Sequence, residues 1–294
     1  MAVMKQKTRA PGIPHEVIRL TDYPQLELYL TKFARGELGL VLLLGRPGTG
    51  KSESVKRALS FMPAADAADS RRTLYVEGHV QPYGLYRQLW EFRDQPVVLD
   101  DLDRLYADPQ CVRLLKPLCN TTREKRIHWL TRLTMDDEQV PSGFTTASNV
   151  ILIANEWKSL NPNVRALEDR AIVLHFCPSN AEVHRKVGEW LDDPEVYEFI
   201  GDLLMVVPEV SMRHFCKASQ LRKAGLVDWR DSLLQMTVPD RRIASVVALR
   251  HDRSVQSEAE RITRFTKETG ASRATYFRIK AKLEVRGRVV NFTK

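Results

Sequence analysis

Gly45-Arg46-Pro47-Gly48-Thr49-Gly50-Lys51-Ser52 satisfies the pattern G-x-x-x-x-G-K-[ST] in full. Glycines at this spacing let the backbone wrap tightly, so that successive N–H groups point inward at phosphate oxygens. Lys51 then meets the β- and γ-phosphates as a point charge, and the Ser52 hydroxyl is a ligand for Mg²⁺. A nucleotide carrying magnesium also needs a carboxylate at the tip of a neighbouring strand, and Val97-Val98-Leu99-Asp100-Asp101 supplies two. Asp100 is expected in the Mg²⁺ shell, and Asp101 is placed to orient and deprotonate an attacking water. Asn155 follows the apolar run Ile151-Leu152-Ile153-Ala154. A polar group there would touch the γ-phosphate or the water, or else form an ordinary strand-end turn.

These residues need a scaffold that brings strand tips together. Leu40 to Leu44 reads as a buried strand, followed by a helix over 52–62 with Val55, Ala58, Leu59 and Met62 on one face. A helix opening there puts its positive dipole end on the same anion as the loop. Further short strands are expected at 74–76, 96–99, 149–154 and 172–176. Strands alternating with helices predict an α/β fold, a mainly parallel sheet with helices on both faces. After Pro178 the strand signal stops. Val183, Val187 and Trp190, then Val196, Phe199, Ile200, Leu203 and Leu204, read as amphipathic helices, so an all-helical part begins there.

Composition bounds the alternatives. With 43% hydrophobic and 28% charged residues, the 294-residue chain has ordinary globular usage, which argues against long disorder. The longest apolar run, 38–44, falls far short of the roughly 20 residues of a membrane span. No apolar stretch follows Lys5, Lys7 and Arg9, so neither a secretory signal nor a transmembrane segment is expected and a cytoplasmic setting is the reading. Cys111, Cys119, Cys177 and Cys216 form no C-x-x-C pair and read as buried free thiols. The net charge of +8 is unevenly placed: 14 of 45 basic and 5 of 37 acidic residues fall at 241–294, leaving 31 basic and 32 acidic before them. A basic tail on a neutral body suits a polyanion, most often nucleic acid, although a solvated charged surface has the same composition.

GRPGTGKS, VVLDDLD and LIANE, in that order, resemble the Walker A, Walker B and sensor-1 segments of an AAA+ ATPase, over roughly residues 15–236. The resemblance implies ATP and Mg²⁺ as cofactors, with Asn155 at the sensor-1 position. Asn163-Val164-Arg165-Ala166-Leu167-Glu168-Asp169-Arg170 is similar to the family segment carrying the arginine finger. Arg170 matches its arginine, with Arg165 as the fallback. Such an arginine completes the site of a neighbouring subunit, since developing γ-phosphate charge needs a cation one subunit lacks. Ser211-Met212-Arg213 looks like sensor 2, with Arg213 bringing a helical lid onto the nucleotide. The family usually has Asp-Glu where this chain has Asp100-Asp101. Aspartate is one methylene shorter, which leaves room for slow hydrolysis or a switch-like use of ATP.

Two further segments bear on partners. Around 123–144, two extended arms flank a polar turn and predict a hairpin. Lys125, Arg126 and Arg132 would meet nucleic acid backbone there, or the hairpin packs on its own subunit. In the tail, helices over 256–269 and from 272 onward are separated by Gly270, with Tyr276, Ile279 and Leu283 turned inward. TGASRATYFRIKAKL resembles the helix-turn-helix of serine recombinases. Ser272, Arg273, Thr275, Phe277 and Arg278 then face a major groove, while Lys280, Lys282, Arg286 and Arg288 bind phosphate.

The expected organisation is an arm at 1–14, a nucleotide-binding core at 15–178, a helical lid at 179–236 and a helix-turn-helix at 237–294. The expected function is ATP binding and hydrolysis at the interfaces of a homo-oligomer, ring or filament, coupled to assembly on or remodelling of double-stranded DNA. Transposition, replication initiation and helicase loading are the settings the resemblance implies, with a transposase, helicase or other DNA-processing protein as partner. The alternative is a DNA-binding regulator for which ATP is only an oligomerisation switch. A sigma-factor activator would carry a G-A-F-T-G-A loop, which this sequence lacks.

Overall fold

The structure is a computed structural model that describes residues 16–60, 73–78, 80–100, 108–129, 140–155, 167–252 and 254–284. It divides into two compact units, Met1–Pro178 and Ser179–Lys294.

The first unit contains strands β1 (Ile18–Leu20), β2 (Leu40–Leu44), β3 (Leu74–Glu77), β4 (Val97–Asp100), β5 (Lys125–His128), β6 (Gly143–Thr146), β7 (Val150–Ala154) and β8 (Ile172–Phe176). Helices α1 (Tyr23–Ala34), α2 (Lys51–Ser60), α3 (Pro82–Glu91) and α4 (Pro109–Leu118) lie between them. Six strands form one parallel sheet in the order β1-β8-β2-β7-β4-β3. Every residue of β2 (LVLLL) and of β7 (VILIA) is buried. Continuous apolar runs of this kind are what a parallel sheet covered on both faces requires. The chain leaves β2, travels to the β3 edge and returns through β4 to β7. It then places β8 on the far side of β2. The carboxyl end of β2 is therefore a topological switch point, where open parallel sheets form their ligand crevice. The edge strand β1 carries no alternating signal and was not expected.

The hairpin is present as the antiparallel pair β5-β6, with Ile127 opposite Phe144 and Lys125 opposite Thr146. Residues 130–139, including Arg132, lie outside the described residues. Strand alternation puts Lys125 and Ile127 on one face and Arg126 and His128 on the other. Lys125 is accordingly only 4% exposed and its Nζ donates to the Ser148 carbonyl. The expectation that Lys125 contacts nucleic acid backbone is thus corrected: it packs on its own subunit, and Arg126 is the exposed cation of the strand.

The second unit is helical throughout its described residues: α5 (Asn180–Val187), α6 (Pro194–Leu203), α7 (Met212–Lys223), α8 (Trp229–Thr237), α9 (Arg241–His251), α10 (Glu258–Thr269) and α11 (Arg273–Glu284). Ser179, Asp193, Asp240 and Ser257 cap their helices by accepting from backbone N–H groups in the first turn. One apolar cluster runs from Val183 through Phe199, Phe215, Leu233 and Val247 to Phe265, Tyr276, Ile279 and Leu283. The helices before and after residue 240 therefore share a core. Trp190, expected on an apolar face, lies beyond α5 and is 49% exposed.

Candidate functional site

The loop joining β2 to α2 is held from several sides. Gly45 is buried at the end of β2, where a Cβ would collide with the Phe176 carbonyl oxygen of the adjacent strand β8. Gly50 has φ 80°, a left-handed conformation glycine adopts without strain. The Tyr23 hydroxyl donates to the Thr49 carbonyl at 2.9 Å, and the Thr49 hydroxyl to the Arg46 carbonyl at 3.0 Å. Pro47 is exposed and Gly48 half-buried at the tip.

Lys51 opens α2 and is 5% exposed. Its Nζ donates to the Gly45 carbonyl at 2.6 Å, to the Arg46 carbonyl at 3.0 Å and to Asn155 Oδ1 at 3.1 Å. Asn155, exposed at the carboxyl end of β7, thus meets Lys51 from 104 positions away. Ser52 is half-buried in the same first turn.

Asp100 ends β4 and is 5% exposed. Tyr75, one strand over on β3, donates its hydroxyl to Asp100 Oδ2 at 2.5 Å. Burial raises the Tyr75 phenol well above its ordinary value, and the hydrogen bond to Asp100 raises it further; a hydrogen bond with Ser52 acts the other way. Lys56 Nζ lies 4.6 Å from the Tyr75 ring centroid. Tyr75 was not singled out from the sequence, since a lone tyrosine in a short strand carries no motif. Its alternation with buried Leu74 and Val76 on β3 was the available signal.

The donor set suits Mg²⁺ borne by a phosphate chain. A buried carboxylate and a hydroxyl stand near the loop, and no group of three His, Cys, Asp or Glu side chains among the described residues could hold a metal alone. Mg²⁺ typically takes one or two protein oxygens, with phosphates and waters completing the shell. Ser52 and Asp100 would hold it there, and it would supply positive charge against a phosphate chain.

The other expected site residues lie elsewhere. Asp101 and Arg165 fall outside the described residues. Arg170 is exposed just before β8, and its Nη1 donates to the Lys116 carbonyl at 3.3 Å. Since β2 and β8 are parallel, Arg170 stands at the opposite end of the sheet from the unit's own loop. Arg213 is exposed in the first turn of α7, within the second unit.

In α10 and α11, Gly270 turns the chain at φ 69°. Tyr276, Ile279 and Leu283 are buried, and the Phe265 and Tyr276 rings meet edge-on at 5.4 Å. Ser272, Arg273, Phe277 and Arg278 are exposed and Thr275 half-buried. The Arg273 guanidinium lies 5.5 Å from the Phe277 ring centroid. Lys280 differs from the expected free phosphate ligand: its Nζ pairs with Glu258 at 2.7 Å and Glu284 at 3.6 Å. The hydrogen bond to Glu258 raises the Lys280 pKa. Arg286 and Arg288 lie outside the described residues. Of the cysteines, Cys111 and Cys119 are buried, with burial pushing their thiols up to about 11 and about 12, whereas Cys177 is half-buried and Cys216 exposed. No described helix is long and apolar enough to cross a membrane.

No protein-family model matches the sequence. A curated relative is an uncharacterized 36.7 kDa protein in the nrdC-mobD intergenic region of Enterobacteria phage T4. It is 26% identical over 166 residues, which make up 52% of this chain and 50% of that protein. The chain therefore spans about half the length of the curated relative it matches. Similar solved structures include AMPPCP-bound DnaA from Aquifex aeolicus, at 15% identity and TM-score 0.44 over 92% of this chain and 89% of that one. Drosophila ORC bound to DNA aligns at 17% identity and TM-score 0.42, over 100% and 84% of the two chains. NtrX from Brucella abortus in complex with ADP aligns at 13% and 0.43, over 90% and 67%. The chain itself is an α/β protein with a six-stranded parallel sheet and a helical carboxy-terminal region.

Proposed function

We propose that this protein is an ATPase of the AAA+ type that binds Mg·ATP in its 45–52 loop, hydrolyses it at the seam between two copies of the chain, and couples this to double-stranded DNA. The observation that carries the reading is the convergence of Lys51 and Asn155 at the end of β2, with Nζ 3.1 Å from Oδ1. Two carbonyls and one amide oxygen hold the ammonium beside the loop, so it meets a phosphate chain without first being gathered from solvent. Asp100 stands at the tip of β4, and Asp101, next in sequence, is proposed to orient and deprotonate the water.

Arg170 is proposed to act in trans. The five residues of β8 separate it from the loop end of the sheet, roughly 16 Å at about 3.3 Å per residue. A cation there serves another copy's nucleotide more readily than its own. Arg213 is proposed to contact nucleotide from the helical lid. Ser272, Arg273, Thr275, Phe277 and Arg278 are proposed to read or grip DNA, with the exposed guanidiniums suited to guanine and phosphate. Assembly on DNA during transposition, replication initiation or helicase loading, alongside a transposase or helicase, is the setting that the motif order favours.

A second reading keeps DNA binding and ATP-driven assembly but little turnover; aspartate rather than glutamate at position 101 favours it. Phosphate release with and without DNA separates the two. DNA-stimulated turnover lost in Asp101→Asn supports the enzyme, and no turnover supports the switch. Lys51→Ala is expected to abolish nucleotide binding, and retained tight ATP affinity contradicts the loop assignment. Arg170→Ala is expected to spare binding and impair hydrolysis, with partial recovery on mixing with Asp101→Asn.

A further inference from the structure

A cavity of about 720 Å³ opens in the first unit at the amino-terminal end of the sheet, away from the 45–52 loop. Gly39 and Leu40 before β2, Asn149 before β7 and Ile172 at the start of β8 frame it. Four cations line it: Arg35, Arg123, Lys125 and Arg170. Among the described residues the lining has one carboxylate, Asp94, whose Oδ1 accepts from the Ala147 N–H at 2.7 Å. None of the four cations makes an ion pair with a described residue; Arg170 and Lys125 each spend a donor on a carbonyl.

Lys125 is the unusual member. It is 4% exposed with no carboxylate partner among the described residues, and a buried ammonium without one is costly to keep charged. Burial lowers its pKa. Ser148, whose carbonyl accepts from Nζ, is 2% exposed, and its hydroxyl pairs with that of Thr146 at 2.8 Å. Asn149, at the same wall, donates Nδ2 to the Phe33 carbonyl at 2.6 Å.

The charge balance remains positive once backbone dipoles are counted. α1, α3 and α4 all end beside lining residues, at Ala34, Asp94 and Asn120, and each helix carboxyl terminus contributes about −0.5 charge. With Asp94, that offsets roughly two and a half of the four positive charges among the described residues, leaving about +1.5. A phosphate carrying one to two negative charges matches this, and the volume falls within the roughly 300–1,000 Å³ range of small-molecule sites.

We propose that this cavity is a second phosphate site, separate from the loop, with Lys125 as its floor and Arg35 and Arg123 at its mouth. The phosphate reaches it either on a free molecule or on the nucleotide of a neighbouring copy, brought by the same interface that would use Arg170. Lys125 then gains the anionic partner it lacks among the described residues, and Arg123 is the residue whose loss separates this site from the loop.

The test uses the full chain in two arms. In Lys51→Ala, where the loop no longer grips phosphate, inorganic pyrophosphate is titrated by calorimetry and thermal unfolding. A free-phosphate site binds it, and adding Arg123→Ala weakens that binding roughly tenfold or more, as expected when a charge-assisted contact is lost. In the chain with Lys51 intact, ATP-dependent self-association is followed by sedimentation. A comparable weakening by Arg123→Ala identifies the neighbour's nucleotide as the source. Lys125→Met, which keeps the side-chain length, should reproduce whichever effect is seen; Arg123 is exposed, so its removal leaves the core intact. If Arg123→Ala changes neither pyrophosphate binding nor self-association by more than about twofold, the site does not exist. Failure of the loop reading shows separately, as absent ATP binding in the unsubstituted chain.

Discussion

Replacing Tyr75 with phenylalanine removes a single oxygen from the wall of the candidate nucleotide site. That oxygen donates to Asp100 Oδ2 at 2.5 Å, and Asp100 is 5% exposed. A hydrogen bond to a charged group typically contributes about 1.5–3 kcal/mol, and an unsatisfied buried acceptor pays its desolvation in full. Tyr75→Phe is therefore expected to destabilise the protein by about 2 kcal/mol at neutral pH without nucleotide. Some of that cost is relaxation of the strand, so the cleaner quantity is the coupling between the two side chains. Denaturant unfolding of the native chain, Tyr75→Phe, Asp100→Asn and the double variant yields it, provided the denaturant slope stays constant. A coupling of about 1.5 kcal/mol or more is expected. A coupling below about 0.5 kcal/mol, within the additivity of independent sites, refutes the claim that Tyr75 holds the Asp100 carboxylate. The same variant should change Mg²⁺-dependent nucleotide affinity while leaving Mg²⁺-free affinity unchanged.

Gly45→Ala forces a Cβ onto the Phe176 carbonyl; we expect loss of nucleotide binding and a destabilisation of about 1–3 kcal/mol, measured by calorimetry and unfolding. The hydrogen bond from Lys280 holds the Glu258 carboxyl below its ordinary value. A depressed carboxyl stabilises the fold above its unfolded pKa and loses that contribution as pH falls through the lower, folded value. The stability gap between the native chain and Lys280→Met should therefore be full at pH 7 and close below about pH 4. A gap independent of pH removes the pair from the account. Because α9 to α11 share the second unit's core, DNA contact is better tested by substitution than by truncation. Arg273→Ala with Arg278→Ala should keep the fold and lower the salt slope of duplex binding by about 2.

The α/β scaffold around the 45–52 loop was largely legible in the sequence. The five runs at 40–44, 74–76, 96–99, 149–154 and 172–176 each became a strand, because a parallel sheet covered on both faces leaves continuous apolar segments between polar turns. Lys51 and Asp100 could be named because their chemistry is tied to a local motif at a strand end. The inward set Tyr276, Ile279 and Leu283 was readable for the same kind of reason, helical period along one segment. Strand β1 was not readable: three residues at a sheet edge, two of them exposed, leave no pattern.

Other features depended on residues distant in the chain. Tyr75 meets Asp100 only because β3 and β4 are adjacent in the sheet, and Lys51 meets Asn155 only because β7 inserts beside β2. Lys125 and Lys280 looked like free cations in a basic sequence. The fold buries one against Ser148 and pairs the other with Glu258, 22 positions away. Local pattern thus determined the elements, the loop and the chemistry it can support, since backbone conformation and helical or strand period are set within a few residues. Partnership among charges and the cavity at the amino-terminal end of the sheet were decided by tertiary structure, since electrostatics and desolvation act through space between groups that the sequence keeps far apart.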